Sequence, residues 1–417
     1  MRILVIYQYF LGEGDGGISR FNQFALCWVD KGQEVTVISG TMNRLTGKKI
    51  KKNTRFVYKE EVKPCLRVIW CYVSELYNRS FLGRFIGYMS FLLSSTFAVL
   101  FCTDKHDVVI ASSPPLFVAI TGYLVSRLRR TPLVLEVRDL WPKFAVDIGI
   151  LRNSFLIRLA YWFEQYMYRK AHLITAVTPD IKDYLVLERK ILEKKIFYIP
   201  GGADFDIMRK GPKHNWVREK HGWNDKFVVL YVGGHGRSHD LQQILEAAQL
   251  LKHDQNILLV LIGDGMEKAR LRRFAERKEL SNVEFLDVVP KSKVSDFING
   301  ADICTATLLP VFTTAYPSKL FDYMACSKPI ILTIDGAARR LVVDHAKAGV
   351  FVPPRDARAY REAVHYLYEN PRLVEELGAN GYEYVMKHFN RQRIADKYLD
   401  VLRGVIDEKE SHLCREL

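Results

Sequence analysis

Residues 3–7 read Ile-Leu-Val-Ile-Tyr, and residues 35–38 read Val-Thr-Val-Ile. Short, continuous apolar runs of this kind are typical of strands that are buried on both faces of a sheet. Between the two runs lie a glycine cluster at residues 12–17 and apolar side chains that repeat at helical spacing over residues 18–28. A strand, a helix and a second strand joined by such short links predict a parallel sheet with right-handed crossovers.

The same alternation continues along the chain in two series. Further strands are predicted at residues 108–111, 133–136, 172–177 and 195–199, and then at 227–232, 257–262, 283–286 and 302–306. The polar stretch 204–226 between the series predicts a linker. We therefore expect an α/β protein of two facing, Rossmann-like, doubly wound domains, 1–203 and 204–387, with the ligand in the cleft between them. The C-terminal helix within 388–417 is expected to pack back on the first domain.

The composition is that of a folded protein with a cationic surface. Of 417 residues, 48% are hydrophobic and 26% are charged, which excludes a disordered or collagen-like chain. The net charge of +14 favours a polyanionic partner, such as a nucleotide, an anionic lipid or a nucleic acid. Seven scattered cysteines without a CxxC pair predict reduced thiols, and the N-terminus has no signal-peptide pattern, so we expect a cytoplasmic protein.

Three patterns that could hold a cofactor or metal are weak. The cluster at residues 12–17 matches G-x-G-x-x-G. However, four residues separate it from the first strand, and the second strand does not end in an acidic residue, so an NAD-binding site is disfavoured. A flexible loop that lets a substrate approach closely is the better interpretation. Asp204 and Asp206 form a DxD triplet that is more simply two surface carboxylates, and His235 and His239 have no nearby carboxylate or cysteine partner. We therefore expect no metal site and no cofactor.

A second glycine-rich segment is more informative. Residues 231–237, Tyr-Val-Gly-Gly-His-Gly-Arg, place a strand before a glycine loop and a helix start, which offers backbone N–H groups to a phosphate. Gly234 and Gly236 would form that loop, and Arg237 could pair with a phosphate. A tight glycine turn with a solvated arginine fits these residues equally well.

A third segment, residues 317–325, begins another helix. Pro317 and Ser318 suit its first positions. Ser318 and Asp322 share a helix face, and Lys319 lies beside Asp322 at a spacing of three residues. Lys319 could meet a diphosphate while Asp322 accepts hydrogen bonds from a ribose diol. The alternative is an N-cap with an ion pair on the helix surface.

A basic stretch over residues 44–63 precedes an apolar run of 17 positions, Phe85 to Phe101. A bilayer span needs about 20 residues, so we favour a buried helix of the first domain. A basic loop beside an apolar helix can still dock on an anionic membrane surface.

Taken together, these residues resemble retaining glycosyltransferases of the GT-B fold, family 4, over nearly the whole chain, and are similar to the WbuB-like transferases of bacterial surface-polysaccharide assembly. The resemblance rests on six blocks: Gln8-Tyr9-Phe10 with Gly16-Gly17-Ile18-Ser19-Arg20, Glu136-Val137-Arg138-Asp139-Leu140-Trp141-Pro142, Ile199-Pro200-Gly201-Gly202-Ala203-Asp204, Gly263-Asp264-Gly265, Pro317-Ser318-Lys319 and Asp322-Tyr323-Met324-Ala325.

The resemblance assigns roles to these residues. It implies that Arg237 and Lys319 neutralise the leaving diphosphate and that Asp322 contacts the ribose, in the place of the second glutamate of a Glu-x7-Glu motif. Position 314, the first of that motif, is Thr314 instead of an acid. For the donor site, the resemblance also implies Gly16, Gly17, Gly234, Gly236 and Ser318. For the acceptor site, it implies Arg20, Glu136 and Arg138. Asp139 is implied to be catalytic, because the pair Arg138-Asp139 takes the place of a histidine that contacts the donor sugar in many relatives.

The function implied is that of a hexosyltransferase-type glycosyltransferase. It would move a sugar from a nucleotide-sugar, in our interpretation a UDP-sugar, to a lipid-linked saccharide on the inner face of the plasma membrane, with retention and without a metal. Two alternatives stay open: a UDP-sugar epimerase of the same fold, and a non-catalytic nucleotide-sugar-binding subunit. A nucleic-acid partner is not expected, because the sequence has no recognised reading module.

Overall fold

A computed structural model describes residues 1–12, 19–43, 49–50, 56–78 and 81–413. The chain divides into two compact units. The first unit contains the residues up to Pro200 together with those from Gln392 onward, and the second unit contains Gly201–Arg391.

The first unit is built on an eight-stranded sheet within the described part of the chain. Its strands follow the order β3-β4-β2-β1-β5-β6-β7-β8, with β3 antiparallel to β4 and all other pairs parallel. Ile3, Val5 and Ile6 on the central strand are fully buried, as a continuous apolar run predicts. The strands are β1 (Arg2–Ile6), β2 (Glu34–Gly40), β3 (Val57–Lys63), β4 (Leu66–Cys71), β5 (Val108–Ser113), β6 (Leu133–Val137), β7 (Leu173–Ala176) and β8 (Ile196–Tyr198).

Helices cover this sheet. They are α1 (Arg20–Asp30), α2 (Phe81–Cys102), α3 (Val118–Arg129), α4 (Lys143–Asp147), α5 (Ser154–Lys170), α6 (Pro179–Leu187) and, after the second unit, α15 (Arg391–Leu413). The last helix packs on the first: the Trp28 indole N–H donates to the Ala395 carbonyl at 3.1 Å, and the Tyr398 ring lies 5.5 Å from that of Trp28.

The second unit has a parallel six-stranded sheet in the order β11-β10-β9-β12-β13-β14. Its strands are β9 (Phe227–Val232), β10 (Ile257–Ile262), β11 (Val283–Leu286), β12 (Ile303–Thr307), β13 (Ile330–Thr333) and β14 (Gly349–Phe351). Its helices are α7 (Trp216–His221), α8 (Gln242–Leu250), α9 (Lys268–Arg277), α10 (Lys291–Gly300), α11 (Ser318–Ala325), α12 (Ala337–Arg339), α13 (Ala357–Glu369) and α14 (Pro371–His388). In each unit, loops at the carboxyl ends of the parallel strands carry the candidate site residues.

Two expectations about loops and linkers are wrong. The polar stretch 204–226 is not a bare linker, because α7 lies within it and Arg218 is 1% exposed. The Arg218 guanidinium donates to the Gly300 carbonyl at 2.7 Å and pairs with Asp302. The second correction concerns the basic stretch, where residues 44–48 and 51–55 lie outside the described residues and Lys59 and Lys63 belong to β3 instead of a loop.

The apolar run forms a longer and less buried helix than predicted. α2 has 22 residues, Phe81–Cys102, and only one of its faces packs into the unit. Within the part of the chain that the structure describes, Leu82–Cys102 is the one helical segment whose length and composition would suffice to cross a bilayer, and 33% of its most apolar window is buried. The prediction of a simply buried helix is therefore wrong for its outer face.

Candidate functional site

Two glycine loops meet at the carboxyl ends of β9 and β10. The amide of Gly233 donates to the Ile262 carbonyl at 2.9 Å, and the amide of His235 donates to the Asp264 carbonyl at 2.8 Å. A Cβ atom on Gly263, whose φ is 145°, would collide with the Gly233 carbonyl. Only glycine allows this backbone-to-backbone approach, so the loop predicted to hold a phosphate is braced by the Gly263-Asp264-Gly265 segment.

Lys319 points into this loop from the first turn of α11. Its Nζ atom lies 3.5 Å from the centroid of the Tyr231 ring, is inaccessible to solvent and has no hydrogen-bond acceptor among the described residues. A Cβ atom on Gly233 would lie 2.6 Å from that Nζ, so the glycine makes room for the ammonium group. Burial lowers the pKa of Lys319 well below its ordinary value. A buried ammonium group with unused donors is suited to an anionic oxygen.

Asp322 lies one turn further along α11 and is also directed inward. It is 4% exposed, and its Oδ1 atom has no hydrogen-bond donor among the described residues. Burial raises the pKa of Asp322 to about 6, although the charges of Arg391 and Lys291 oppose the shift. The alternative of an ion pair on the helix surface is thus not what the structure shows. Ser318, in contrast, is exposed.

The histidine of the loop is neutral. His235 is completely buried, with its ring 6.0 Å from that of Tyr231. Burial, together with the charges of Lys268 and Lys319, lowers the pKa of His235 to about 4. Near neutral pH it adds no charge to the loop, where Lys319 and Lys268 are the nearby cations; the Lys268 ammonium group already donates to the Gly263 carbonyl at 2.7 Å.

The other predicted donor residues are placed differently. The Tyr231 hydroxyl donates to the Gly234 carbonyl at 2.9 Å, which ties that glycine to the ring beneath Lys319, and Gly236 starts the turn Arg237–His239. The Arg237 side chain is 83% exposed and lies 3.6 Å from Glu267. Gly16 and Gly17 lie outside the described residues.

In the first unit, the predicted acceptor residues form one network around Glu136, whose side chain is completely buried at the end of β6. Its Oε2 atom lies 3.0 Å from Arg20 Nε, and its Oε1 atom accepts from the Ser112 hydroxyl at 2.9 Å and lies 3.9 Å from Arg138 Nε. The Arg138 guanidinium also lies 4.8 Å from the centroid of the Tyr7 ring. Because the Glu136 carboxylate lies beside both guanidinium groups, it offsets their positive charge inside the unit. The network can therefore fix the polar segments that follow the strands.

Arg20 extends this network to the end of β8. Its guanidinium donates to the Ile199 carbonyl at 2.7 Å and also to the Pro200 carbonyl. Asp139 follows Arg138 in the turn after β6 and is half-buried. The structure therefore brings Arg20, Glu136 and Arg138 into contact and leaves Asp139 beside them on the same turn.

The weaker motifs form no metal centre in the described parts of the chain, where no group of three His, Cys, Asp or Glu side chains could hold an ion. Asp204 instead accepts the Asp206 amide at 3.2 Å in a local turn. None of the six described cysteines forms a disulfide.

Sequence reasoning missed three residues of the site in the second unit. Tyr231 lies under Lys319, while Lys291 and Arg391 are the cations whose charges act on Asp322. Tyr231 could have been found, because it lies two residues before the glycine loop on a strand whose alternate side chains share a face. Lys291 and Arg391 come from distant segments and carry no local signal.

Comparisons with known proteins cover most of the chain. Residues 15–202 match the family described as glycosyl transferase 4-like domain, and residues 215–384 match glycosyl transferases group 1. A Pseudomonas aeruginosa protein named "Probable glycosyltransferase WbjE" is 23% identical over 313 residues, 73% of this chain and 76% of the relative. The Escherichia coli O-antigen chain mannosyltransferase C is 22% identical over 263 residues, 62% of this chain and 68% of that one.

A solved structure has the same fold over its whole length. The crystal structure of Anabaena HepE in complex with UDP-glucose superposes with a TM-score of 0.71 at 16% identity and covers 97% of this chain and 100% of that one. The likeness confirms the predicted α/β fold of the GT-B class.

Proposed function

The chain carries a glycosyl transferase 4-like domain followed by a glycosyl transferases group 1 domain, and on that premise we propose that it transfers a sugar from a UDP-sugar to a lipid-linked saccharide, with retention of the anomeric configuration. The observation that carries the proposal is Lys319, whose buried ammonium group has no hydrogen-bond acceptor among the described residues and points into a glycine loop. Such a group lacks a hydrogen-bond acceptor, and the oxygens of an anionic ligand would supply one together with the opposite charge.

The donor is proposed to be a UDP-sugar held by the second unit. Lys319 would bind the diphosphate together with the N–H groups of the loop at Gly234 and Gly236, and Arg237 would approach the same diphosphate from solvent. Asp322, one turn from Lys319, would accept hydrogen bonds from the ribose hydroxyls. The UDP-glucose in the HepE crystal structure supports this choice of nucleotide.

The reaction needs charge stabilisation on the leaving group. When the bond from the anomeric carbon to the phosphate oxygen breaks, negative charge develops on the diphosphate, and a fixed, desolvated ammonium group stabilises that charge without reorganisation. For retention, the acceptor oxygen would attack from the face that the diphosphate leaves. The proton of the acceptor hydroxyl would pass to the departing phosphate oxygen. In this proposal Lys319 and Arg237 supply the positive charge, and no divalent metal or cofactor is required.

The acceptor is proposed to bind the first unit near the Glu136 network, with Asp139 beside the reacting sugar. The O-antigen chain relative favours a surface polysaccharide as the product, and the WbuB-like subgroup is part of the same proposal. A lipid-linked acceptor requires contact with the inner face of the plasma membrane, which the exposed apolar side of α2 can supply.

Calorimetric titration with UDP, GDP and NAD, in buffer with a chelator, tests the donor site. We expect saturable binding of UDP that is lost in Asp322→Ala and weakened in Arg237→Ala. Arg270→Ala is the matched control, because Arg270 pairs with the same Glu267 at 2.6 Å and is 52% exposed. Binding of NAD alone, of GDP alone, or of no nucleotide would contradict the proposed donor.

A further inference from the structure

Helix α5 carries an apolar stripe on its exposed side and a carboxyl group on its otherwise apolar buried side. Its exposed side carries Phe155, Leu159, Trp162 and Tyr166, which are 70%, 47%, 61% and 36% exposed and recur at helical spacing. Its inner side buries Glu164, which is 0% exposed. A helix on a soluble surface normally turns such a stripe towards the core.

A buried ion pair fixes this orientation. The Oε2 atom of Glu164 lies 2.9 Å from Arg189 Nε, and its Oε1 atom accepts the Tyr168 hydroxyl at 3.1 Å. Arg189 also lies 4.4 Å from the centroid of the Tyr161 ring. Rotating α5 to bury the stripe would break this pair and leave the Glu164 carboxyl without its partners, which is strongly unfavourable.

The stripe is continuous with the outer faces of two other helices. Tyr166 of α5 lies 6.1 Å from Tyr123 of α3, ring centroid to ring centroid. Phe117, just before α3, lies 6.0 Å from Phe85 of α2 and 6.0 Å from Phe163 of α5. The most exposed large apolar side chains of the neighbouring helices are Leu128 on α3 and Leu82, Leu93 and Phe101 on α2, at 65–73%. We call this surface of α2, α3 and α5 the apolar face.

Charge selects the occupant of the apolar face. Among the described residues of these three helices, Glu164 is the one acidic residue, and it is buried, whereas Arg127, Arg158 and Arg169 are exposed. Two copies of an apolar face with positive charge and no exposed carboxylate would repel each other. Anionic lipid headgroups complement it, with arginines in the headgroup layer and the aromatic side chains at the acyl boundary, where Trp and Tyr are enriched.

We propose that the apolar face docks in the interfacial layer of an anionic bilayer, with α5 lying in the membrane plane and Phe155 and Trp162 inserted. This inference rests on the proposed lipid-linked acceptor, because it brings the acceptor-binding unit to the layer that holds such an acceptor. In this proposal α2 lies on the membrane surface and does not span the bilayer. The inner face of α2 belongs to the folded unit: Ser94 is fully buried and donates to the Tyr72 carbonyl at 2.8 Å.

Flotation of the full chain with vesicles tests the docking. The double variant Phe155→Glu with Trp162→Glu places two charges at exposed positions, and Tyr366→Glu with Met386→Glu, at positions 52% and 40% exposed in the second unit, is the matched control. We expect wild type and control to float with vesicles of phosphatidylglycerol and phosphatidylethanolamine and to stay unbound with phosphatidylcholine alone. The double variant should lose about tenfold or more of that binding, since charged residues are disfavoured where apolar ones insert.

The proposal is overturned if the double variant floats as well as wild type, or if wild type ignores anionic vesicles. A wild-type dimer in light scattering that the double variant separates, with flotation unchanged, would assign the apolar face to a second copy instead. Calorimetry with UDP on the same preparations separates this question from the donor site. If the double variant loses flotation and still binds UDP, the substitutions affect membrane docking and leave the donor site intact. If wild type binds no UDP, the proposed function is contradicted, whatever the flotation result.

Discussion

The ammonium group of Lys319 lies over the face of the Tyr231 ring, 3.5 Å from its centroid, beside a glycine whose Cβ would occupy the same space. The aromatic face offsets part of the cost of burying the charge and leaves the hydrogen-bond donors of the ammonium group unused. The contact with the ring therefore positions the Lys319 ammonium group before an anionic ligand binds. The proposed catalysis depends on this arrangement.

Removing the ammonium group should affect turnover more than folding. We expect Lys319→Ala to lower kcat by about 100-fold or more, the usual effect of deleting one fixed donor to a developing anion. Thermal stability should change little, because loss of the contact with the Tyr231 ring is offset by removal of a buried charge that has no hydrogen-bond acceptor among the described residues. Steady-state kinetics beside a thermal melt measures both, and an unchanged kcat would remove Lys319 from the mechanism.

The ring beneath the lysine should matter separately from its hydroxyl. Tyr231→Phe keeps the aromatic face and loses the hydrogen bond to the Gly234 carbonyl, whereas Tyr231→Leu loses both. A desolvated cation–π contact contributes up to about 2 kcal/mol, so we expect Tyr231→Leu to weaken UDP binding about tenfold and Tyr231→Phe to weaken it less. Titration calorimetry on variants shown to fold by circular dichroism measures this. Equal affinities in both variants would show that the ring does not position Lys319.

The buried carboxylate of Asp322 predicts a pH-dependent stability. Its pKa of about 6 in the folded chain exceeds the ordinary value of 3.8, so the folded state holds the proton more tightly than the unfolded state. That contribution to stability is fully present below the ordinary pKa and is lost as the pH rises through about 6. Asp322→Asn should therefore gain stability relative to wild type between pH 4 and pH 7, by on the order of 2–3 kcal/mol.

Urea unfolding of both proteins at several pH values measures the difference. Lys328→Gln is a useful control for buried charge in the same unit, because Lys328 donates to the Ala301 carbonyl at 2.8 Å. A stability difference between Asp322→Asn and wild type that stays constant across this range would show that Asp322 titrates normally in the folded chain.

The network of the first unit should depend on the charge of Glu136. Glu136→Ala leaves Arg20 and Arg138 without their shared carboxylate, and breaking a buried pair in this way costs about 3–5 kcal/mol. Glu136→Gln keeps an acceptor for the Ser112 hydroxyl and should cost less. Denaturant unfolding measures both, and equal effects of the two substitutions would show that the charge of Glu136 is not needed.

Both sheets were predictable because their central strands are continuous apolar runs, and Phe227–Val232 and Ile257–Ile262 have the predicted bounds. The hairpin of β3 and β4 was not predicted, because Val57–Lys63 lies at the sheet edge with lysines and glutamates on its exposed side. Helical spacing placed Lys319 and Asp322 near one another. Lys319 lies against Tyr231 and Gly233 of another segment, and spacing along α11 cannot reveal this contact.

The apolar face could not be predicted for the same reason. In the sequence, Phe155, Leu159 and Trp162 have the spacing of an ordinary core-facing stripe, and nothing local indicates that Glu164 occupies the inner side of α5 instead. Its partner, Arg189, lies just after the next helix, α6. Sequence periodicity gives the sides of a helix, whereas long-range pairing decides which side faces the core.

Transfer of a labelled sugar tests the central claim most directly. UDP-glucose, UDP-galactose and UDP-N-acetylglucosamine, each labelled in the sugar, are incubated with the full chain and bacterial membranes, and the lipid fraction is extracted into chloroform and methanol. We predict that label from one of these donors enters the lipid fraction with wild type and not with Lys319→Ala. Label that stays in the nucleotide fraction, either unchanged or as the epimeric UDP-sugar, would contradict the proposed transferase and favour a binding subunit or an epimerase.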